Sequence, residues 1–387
     1  MHIAFVSRHA SLIGGAEHYM RQAAEHMRER GIHSTLLYDP TTDTSLELLE
    51  AFDAAFPLAY THTQLATLKP DVIYAHQLSR TMAEFLAESS CPIVEFLHDH
   101  HLFCLRDHKY TLVGQRPCRQ KAGITTCYPC GGFLRRADDG TGIRIRTIHN
   151  LHAEQRAHKQ FHAFIAGSHY MAAQAALHGF DESRIRVLPL FAAPPKNPVR
   201  GVHGENRLLY VGGGFRGKGL DVLFEALSKL GFPARLDIIG DGSWMSEARS
   251  SCEKLGIADR VSFLGRKDHS ELAVYYQNAL CVIMPSRTPE TFGLVGVEAM
   301  SHATAVIASD IGGIREWLVP EQTGLLVPPN DPTALRHALT RLLERPKLAR
   351  TMGDAGRSRY LERFLPQHHI EKLISVFTEV MHSGSTQ

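Results

Sequence analysis

Charge of either sign in excess is what this chain most lacks. Its 42 Lys and Arg stand against 40 Asp and Glu, a net +2 over 387 residues. That balance excludes a whole-chain field for nucleic acid. Long apolar runs are also missing. Hydrophobic residues make up 44% of the chain, as in a soluble globular protein, yet no run approaches the roughly 20 residues a spanning helix needs. The start, MHIAFVS, passes straight into a strand-like run without a secretory pattern. The expectation is a cytoplasmic protein. Its seven cysteines are then expected as thiols or metal ligands rather than disulfides. Length alone predicts two domains.

What is present is a pattern that occurs twice. Met1 to Val6 reads as a strand, Ser7 to Gly15 as a loop ending in two glycines, and Ala16 to Arg30 as a helix stopped by Gly31. Ser34 to Tyr38, Val72 to Ala75, Ile93 to Leu97 and Phe161 to Ala166 read as further strands. Leu190 to Asn206, rich in Pro and Gly, reads as a linker. The pattern then restarts. Leu208 to Val211 is a strand, Gly212-Gly213-Gly214 with Arg216, Lys218 and Gly219 a glycine loop, and Leu220 to Leu230 one apolar helix face. Leu236 to Ile239, Val261 to Leu264, Val282 to Met284 and Val306 to Ala308 follow as strands, and the tail from Thr333 as helix. Strand, glycine loop, helix is how doubly wound folds approach phosphate.

The densest stretch is Cys281 to Met300, CVIMPSRTPETFGLVGVEAM. A buried strand leads into a polar loop carrying Glu290, then Phe292-Gly293-Leu294, then a helix carrying Glu298. Free N–H groups at a helix start favour an anion such as a diphosphate. Carboxylates accept hydrogen bonds and so suit sugar or ribose hydroxyls. One such site could hold a phosphate between two hydroxyl-rich groups, which describes a sugar nucleotide. The glycine loop supplies cations, Arg216 and Lys218, for the charge that a leaving diphosphate gains, with no need for metal.

The spacing Glu290-x7-Glu298, with Pro285-Ser286, Phe292-Gly293-Leu294 and Glu298-Ala299-Met300 around it, resembles the signature of the retaining glycosyltransferases of family 4, also called group 1. The resemblance implies an α/β GT-B fold, two Rossmann-like domains facing each other across a cleft. It implies that Glu290 contacts donor-sugar hydroxyls, that Glu298 contacts the ribose, and that Phe292, Gly293 and Leu294 lie near sugar and phosphate. Gly240-Asp241-Gly242 resembles the family's turn beside the nucleotide, with Gly240 and Gly242 as its glycines, and Gly265-Arg266 resembles the segment along the base. Gly14 and Gly15 resemble the N-terminal loop that lies against the donor. His98, after Ile93 to Leu97, resembles the family's histidine at the reaction centre. Ile311 to Glu316 also matches a family stretch, but a structural turn explains its glycines as well. The chain departs from the commonest pattern at Gly213, where an arginine is usual. VGGGFRGKGLD is closer to the form in lipopolysaccharide-core glucosyltransferases, which points to UDP-glucose.

Cys104, Cys118, Cys127 and Cys130 contain a Cys-x2-Cys pair and could form a structural zinc site, with His100, His101 and His108 as spare ligands. The surrounding region, His101 to Phe161, holds 11 Lys and Arg against 4 Asp and Glu. Phe133-Leu134-Arg135-Arg136 and Ile143-Arg144-Ile145-Arg146 mix apolar and basic residues there. This suits a phosphorylated acceptor or an anionic membrane surface, placing the protein peripherally on the inner face of the cytoplasmic membrane. A solvated basic face explains it as well.

The expected organisation is an acceptor-binding domain over 1–195 with a cysteine-containing insertion near 100–140, a nucleotide-sugar domain over 205–365, and a last helix, 366–387, crossing back. The expected activity is retaining transfer of a hexose, glucose first, from a UDP-sugar to a glycan or glycolipid in bacterial lipopolysaccharide or surface polysaccharide biosynthesis. No cofactor is required for catalysis and no nucleic acid is bound. A non-catalytic nucleotide-sugar-binding subunit, and a sugar-nucleotide epimerase or phosphorylase on the same architecture, stay open as alternatives.

Overall fold

Strands buried on both faces read as unbroken apolar runs, and only a parallel sheet covered by helices satisfies them. The computed structural model describes residues 1–111, 116–136, 143–195 and 206–384. It divides into two units: Met1–Gly114, Cys118–Leu190 and Pro366–Gln387 form one, Gln115–Pro117 and Phe191–Leu365 the other.

The first unit carries β1 (His2–Ser7), α1 (Gly15–Arg28), β2 (His33–Tyr38), α2 (Leu46–Leu49), β3 (Ala54–Pro57), α3 (His62–Leu68), β4 (Val72–His76), α4 (Arg80–Ala87) and β5 (Ile93–Leu97). α5 (Ile124–Cys127), β6 (Leu134–Arg136), β7 (Ile143–Ile145), α6 (Ile148–His158), β8 (Ala163–Ala166), α7 (His169–Leu177) and β9 (Ile185–Val187) follow. Seven strands form a parallel sheet in the order β3-β2-β1-β4-β5-β8-β9. The two basic-apolar segments pair as an antiparallel hairpin, β6 with β7.

The second unit carries β10 (Arg207–Val211), α8 (Leu220–Ser228), β11 (Arg235–Ile239), α9 (Met245–Lys254), β12 (Val261–Phe263), α10 (His269–Asn278), β13 (Cys281–Met284), α11 (Leu294–Ser301), β14 (Ala305–Ser309), β15 (Gly324–Val327), α12 (Pro332–Glu344) and α13 (Pro346–Arg363). Its six strands are parallel in the order β12-β11-β10-β13-β14-β15. Leu220, Leu223, Phe224 and Leu227 of α8 are buried against Leu208, Leu236, Ile238 and Ile283 of the sheet. Each such side chain contributes roughly 1.5–3 kcal/mol when fully buried.

In both sheets the strand order reverses beside the first strand of the unit: β1 has β2 on one side and β4 on the other, and β10 has β11 and β13. The crevice outside the carboxyl ends of such a pair is where open α/β sheets bind ligands.

The division between units falls at Leu190, earlier than residue 195. Phe191 and Ala192 are buried. The Ala192 N–H donates to Phe364 O at 3.3 Å, and the Tyr360 hydroxyl donates to Ala192 O at 3.0 Å, which pins this segment to α13. Residues 196–205 of the expected linker lie outside the described residues. The last helix, α14 (Pro366–Gly384), belongs to the first unit. It buries Ile370, Leu373 and Phe377, with Phe377 edge-on to Tyr74 at 5.0 Å. Among the described residues no helix is long and apolar enough to cross a membrane.

Candidate functional site

In the second unit, the loops after β10, β11, β12 and β13 are knitted at the carboxyl edge of the sheet. Gly214 N–H donates to Asp241 O at 2.9 Å, Trp244 N–H to Gly214 O at 2.7 Å, and Gly240 N–H to Gly265 O at 2.9 Å. The glycine loop thus touches Gly240-Asp241-Gly242, which in turn touches the turn before Arg266. Arg266 itself is exposed. After β13 the chain turns against the same loop: Arg287 and Thr288 N–H groups donate to Gly217 O at 2.8 and 3.1 Å. Gly219 must be glycine. Its φ is +75°, and a Cβ there would lie 1.9 Å from the Pro285 carbonyl oxygen.

This folding brings Lys218 to Glu290. The Lys218 ammonium donates to both carboxylate oxygens of Glu290, at 2.7 and 3.0 Å. The Ser286 hydroxyl donates to the same carboxylate. Glu290 is 9% exposed, so its charge is held by these two donors rather than by bulk water. The Gly312-Gly313 turn fixes the Glu290 backbone. Gly313 N–H donates to Glu290 O at 2.7 Å, and at Gly312, φ +65°, a Cβ would meet that oxygen at 2.1 Å. The Ile311 to Glu316 stretch therefore positions the glutamate from behind.

Phe292, Gly293 and Leu294 form the entry to α11. Gly293 caps it in a left-handed conformation, and the buried Trp317 indole donates to Phe292 O at 2.7 Å. The Gly296 N–H donates back to Gly293 O at 2.9 Å; the N–H groups before it have no acceptor within the helix, and the helix dipole favours an anion there. Glu298, on α11, accepts at 2.7 Å from the Tyr276 hydroxyl, whose acidity burial and the neighbouring carboxylate suppress. A carboxylate with one oxygen so held keeps acceptor capacity for another hydroxyl.

Arg216 lies apart from this pair. Its side chain is 63% exposed and stands 3.6 Å from Asp221. Arg287, 10% exposed, reaches the same Asp221 at 2.8 Å. Sequence reasoning did not single out Arg287, Asp221, Tyr276 or Trp317 for the site. Of these, only Asp221 had a local signal, in the Lys-Gly-x-Asp spacing.

His98, Gly14 and Gly15 belong to the first unit. Gly14 caps α1, and its N–H donates to the buried Glu17 carboxylate at 2.9 Å. Burial, eased by backbone hydrogen bonds, raises the Glu17 pKa. His98 follows β5 and shares a 2.8 Å hydrogen bond with His76 at the end of β4. Burial pushes the His98 pKa down to about 3. A cavity of about 150 Å³ opens there, lined by Arg8, Gln77, Glu95, His98, Asp99 and His101 among others. Gln77 has φ +45°, a strained backbone of the kind that clusters at functional sites. A larger cleft of about 1270 Å³ holds Pro70, Asp71, Pro92 and Arg184. Those residues precede or open their strands, so it lies at the edge away from the expected ligand crevice.

The four cysteines expected to form a structural zinc site lie in the first unit. Among the described residues no group of three or more His, Cys, Asp or Glu is placed to hold a metal ion. Cys104, Cys118, Cys127 and Cys130 are all free. The buried ammonium of Lys109, which donates to Gln120 O at 2.6 Å, lies close enough to Cys104, Cys118 and Cys127 for their charges to act on it. Of the spare histidines, His100 bonds the Tyr170 hydroxyl at 3.0 Å and His101 bonds Glu154 at 2.8 Å.

The chain matches two family descriptions: "Glycosyltransferase Family 4" over residues 13–192 and "Glycosyl transferases group 1" over residues 196–359. Curated relatives include an uncharacterized glycosyltransferase of Methanocaldococcus jannaschii, 32% identical over 38% of this chain and 41% of that protein. The D-rhamnosyltransferase WbpZ of Pseudomonas aeruginosa is 32% identical over 42% of each. The O-antigen chain mannosyltransferase C of Escherichia coli is 28% identical over 47% of this chain and 49% of that one. The matches thus span half or less of the length of these relatives. Two solved structures share the fold nearly end to end. Sucrose-phosphate synthase from Thermosynechococcus elongatus has a TM-score of 0.73 at 22% identity, covering 99% of each chain. HepE of Anabaena, in complex with UDP and glucose, has a TM-score of 0.73 at 19% identity, covering 98% of this chain and 100% of that one. With both halves matched and two Rossmann-like units of the GT-B class, the chain belongs to the group 1, or family 4, glycosyltransferases.

Proposed function

We propose that this chain transfers a hexose, glucose from UDP-glucose first, to a hydroxyl of a glycan or glycolipid precursor, with retention at the anomeric carbon. The observation that carries the reading is the Lys218–Glu290 pair, held beside the glycine loops and the N-terminus of α11. The donor's diphosphate lies on the N–H groups of α11 and the glycine loop. Lys218 turns from Glu290 toward it and stabilises the charge it gains as the glycosidic bond breaks. Glu290, released, accepts from the sugar's hydroxyls and orients the ring. Glu298 accepts from the ribose. The acceptor hydroxyl attacks on the face the diphosphate leaves, and a diphosphate oxygen takes its proton. No enzyme nucleophile and no metal enter the step.

The relatives named for rhamnosyl and mannosyl transfer, one of them to O-antigen chains, and the neighbour in complex with UDP and glucose support this class of donor and a role in lipopolysaccharide or surface polysaccharide assembly. The basic region from His101 to Phe161 fits a phosphorylated acceptor or peripheral contact with an anionic membrane. Residues 112–115 and 137–142 of it lie outside the described residues.

The test is thermal denaturation with UDP, GDP, ADP and their sugars, repeated with Lys218→Ala. A ligand specific to the folded state stabilises by roughly 2.7 kcal/mol at one hundred times its dissociation constant. A rise in Tm with UDP-glucose, lost in the variant, is expected. No rise with any nucleotide overturns the donor assignment.

A further inference from the structure

His76 lies at the end of β4 with no exposed surface. Phe5 stacks on it at 5.5 Å, Tyr74 stands edge-on at 4.2 Å, and Phe96 stacks at 6.5 Å. Its Nδ1 lies 2.8 Å from His98 Nε2. Its other nitrogen, Nε2, is buried without a hydrogen-bond partner among the described residues. Burial holds both imidazoles neutral at ordinary pH, His98 at about 3 and His76 well below its usual range. Each ring therefore carries one proton, and their shared bond uses only one of the two.

The position of that proton follows from the orphan nitrogen. If the His76 proton were on Nε2, a buried N–H would be left without an acceptor in a ring packed against Phe5, Tyr74 and Phe96. An N–H orphan is the costlier kind, and a ring face is a weak acceptor. If the proton is on Nδ1, only a lone pair is orphaned, and Nδ1–H donates to His98 Nε2. His98 Nε2 is then an acceptor, and the one proton of neutral His98 lies on Nδ1.

We propose that His76 is a positioning residue that fixes His98 as its Nδ1–H tautomer, so that His98 offers substrate a hydrogen-bond donor and not a base. The ligand chemistry is an oxygen acceptor, a sugar hydroxyl or ring oxygen, presented to the His98 side of the cavity. The tautomer stands by itself; its use on a sugar rests on the transferase reading. His98 then takes no proton from the acceptor, which leaves that task to the departing diphosphate.

The test has two parts. Long-range proton–nitrogen correlation of the histidine-labelled chain, with the His98 signal assigned by its loss in His98→Gln, reads the tautomer in the unliganded protein. A protonated Nδ1 and a bare Nε2 are expected; a protonated Nε2 overturns the proposal, whether or not the chain transfers sugar. The second part compares His76→Asn with His76→Leu. Both lose the stacked ring, but the Asn amide keeps an N–H near the place of Nδ1. His76→Leu is expected to lose the tautomer preference and to lower kcat roughly 10- to 100-fold, as when the partner orienting a functional histidine is removed. His76→Asn is expected to keep both. Equal losses in the two variants would reduce His76 to packing and overturn the positioning role.

Discussion

The two units use glycine for different reasons. In the second, Gly219 and Gly312 are dictated by the fold: each has positive φ and a backbone oxygen about where a Cβ would go. In the first, Gly14 would meet only the tip of the Glu17 side chain, at 3.4 Å, and Gly15 nothing within 4 Å. Packing within that unit does not require them. Glycine without internal crowding is expected where a backbone must let something else approach closely. The glycine loop of the second unit is thus required by its own folding, while packing within the first unit leaves its loop open to substitution.

The largest expected effect breaks the first half of this comparison. Gly219→Ala forces a left-handed backbone and an overlap with Pro285 O, costing about 3–5 kcal/mol. Both tryptophans of the chain, Trp244 and Trp317, lie in the second unit, so their fluorescence in a urea titration reports that loss directly. An unshifted tryptophan transition would mean that the loop relaxes freely.

Next in size is acid sensitivity, which sharpens the contrast from the other side. Burial lowers six histidines of the first unit: His98 and His100 to about 3, His178 and His369 to about 4, His76 well below its usual range and His162 below it. Their folded pKa values lie below the unfolded value near 6.5. Their stability contribution is therefore complete above pH 6.5 and lost as pH falls through 4 toward 3. His101 has the opposite sign. Burial lowers it, but hydrogen bonds to Asp107 and Glu154 raise it to about 9, so its contribution is complete below 6.5 and lost as pH rises through 9. On acidification, circular dichroism should change before tryptophan fluorescence. Coincident transitions would contradict the assignment of acid lability to the first unit.

The smallest effect is that of Gly15→Ala. Gly15 opens α1, so alanine should leave Tm unchanged or raise it, the stabilisation being about 0.5–1 kcal/mol. The transfer rate should nevertheless fall. An unchanged rate would make the loop a mere turn.

Much of this contrast was legible in the sequence. Ile93 to Leu97 matches β5, and the other expected strands are found with small changes at their ends. β3, β9 and β15 escaped notice because they are short, and β3 ends in a proline at the sheet edge while β15 opens on a glycine. Spacing marked Glu290 and Glu298 because their relation is local. The Lys218–Glu290 pair, 72 residues apart, is made only by the register of β10 beside β13. Tyr276 on α10 meets Glu298 on α11, 22 residues on, with β13 between the two helices. The cysteine spacing, for its part, records sulfur positions and says nothing of the lysine charge that folds near them.

The most direct measurement is calorimetric titration of UDP and of UDP-glucose into the wild type and Glu290→Gln. Glutamine keeps the shape, loses the charge, and frees Lys218. The account predicts that UDP-glucose binds at least about tenfold more weakly, about 1.4 kcal/mol, while UDP binds as before or more tightly. Equal weakening of both ligands, or of neither, would contradict the claim that Glu290 holds the donor sugar.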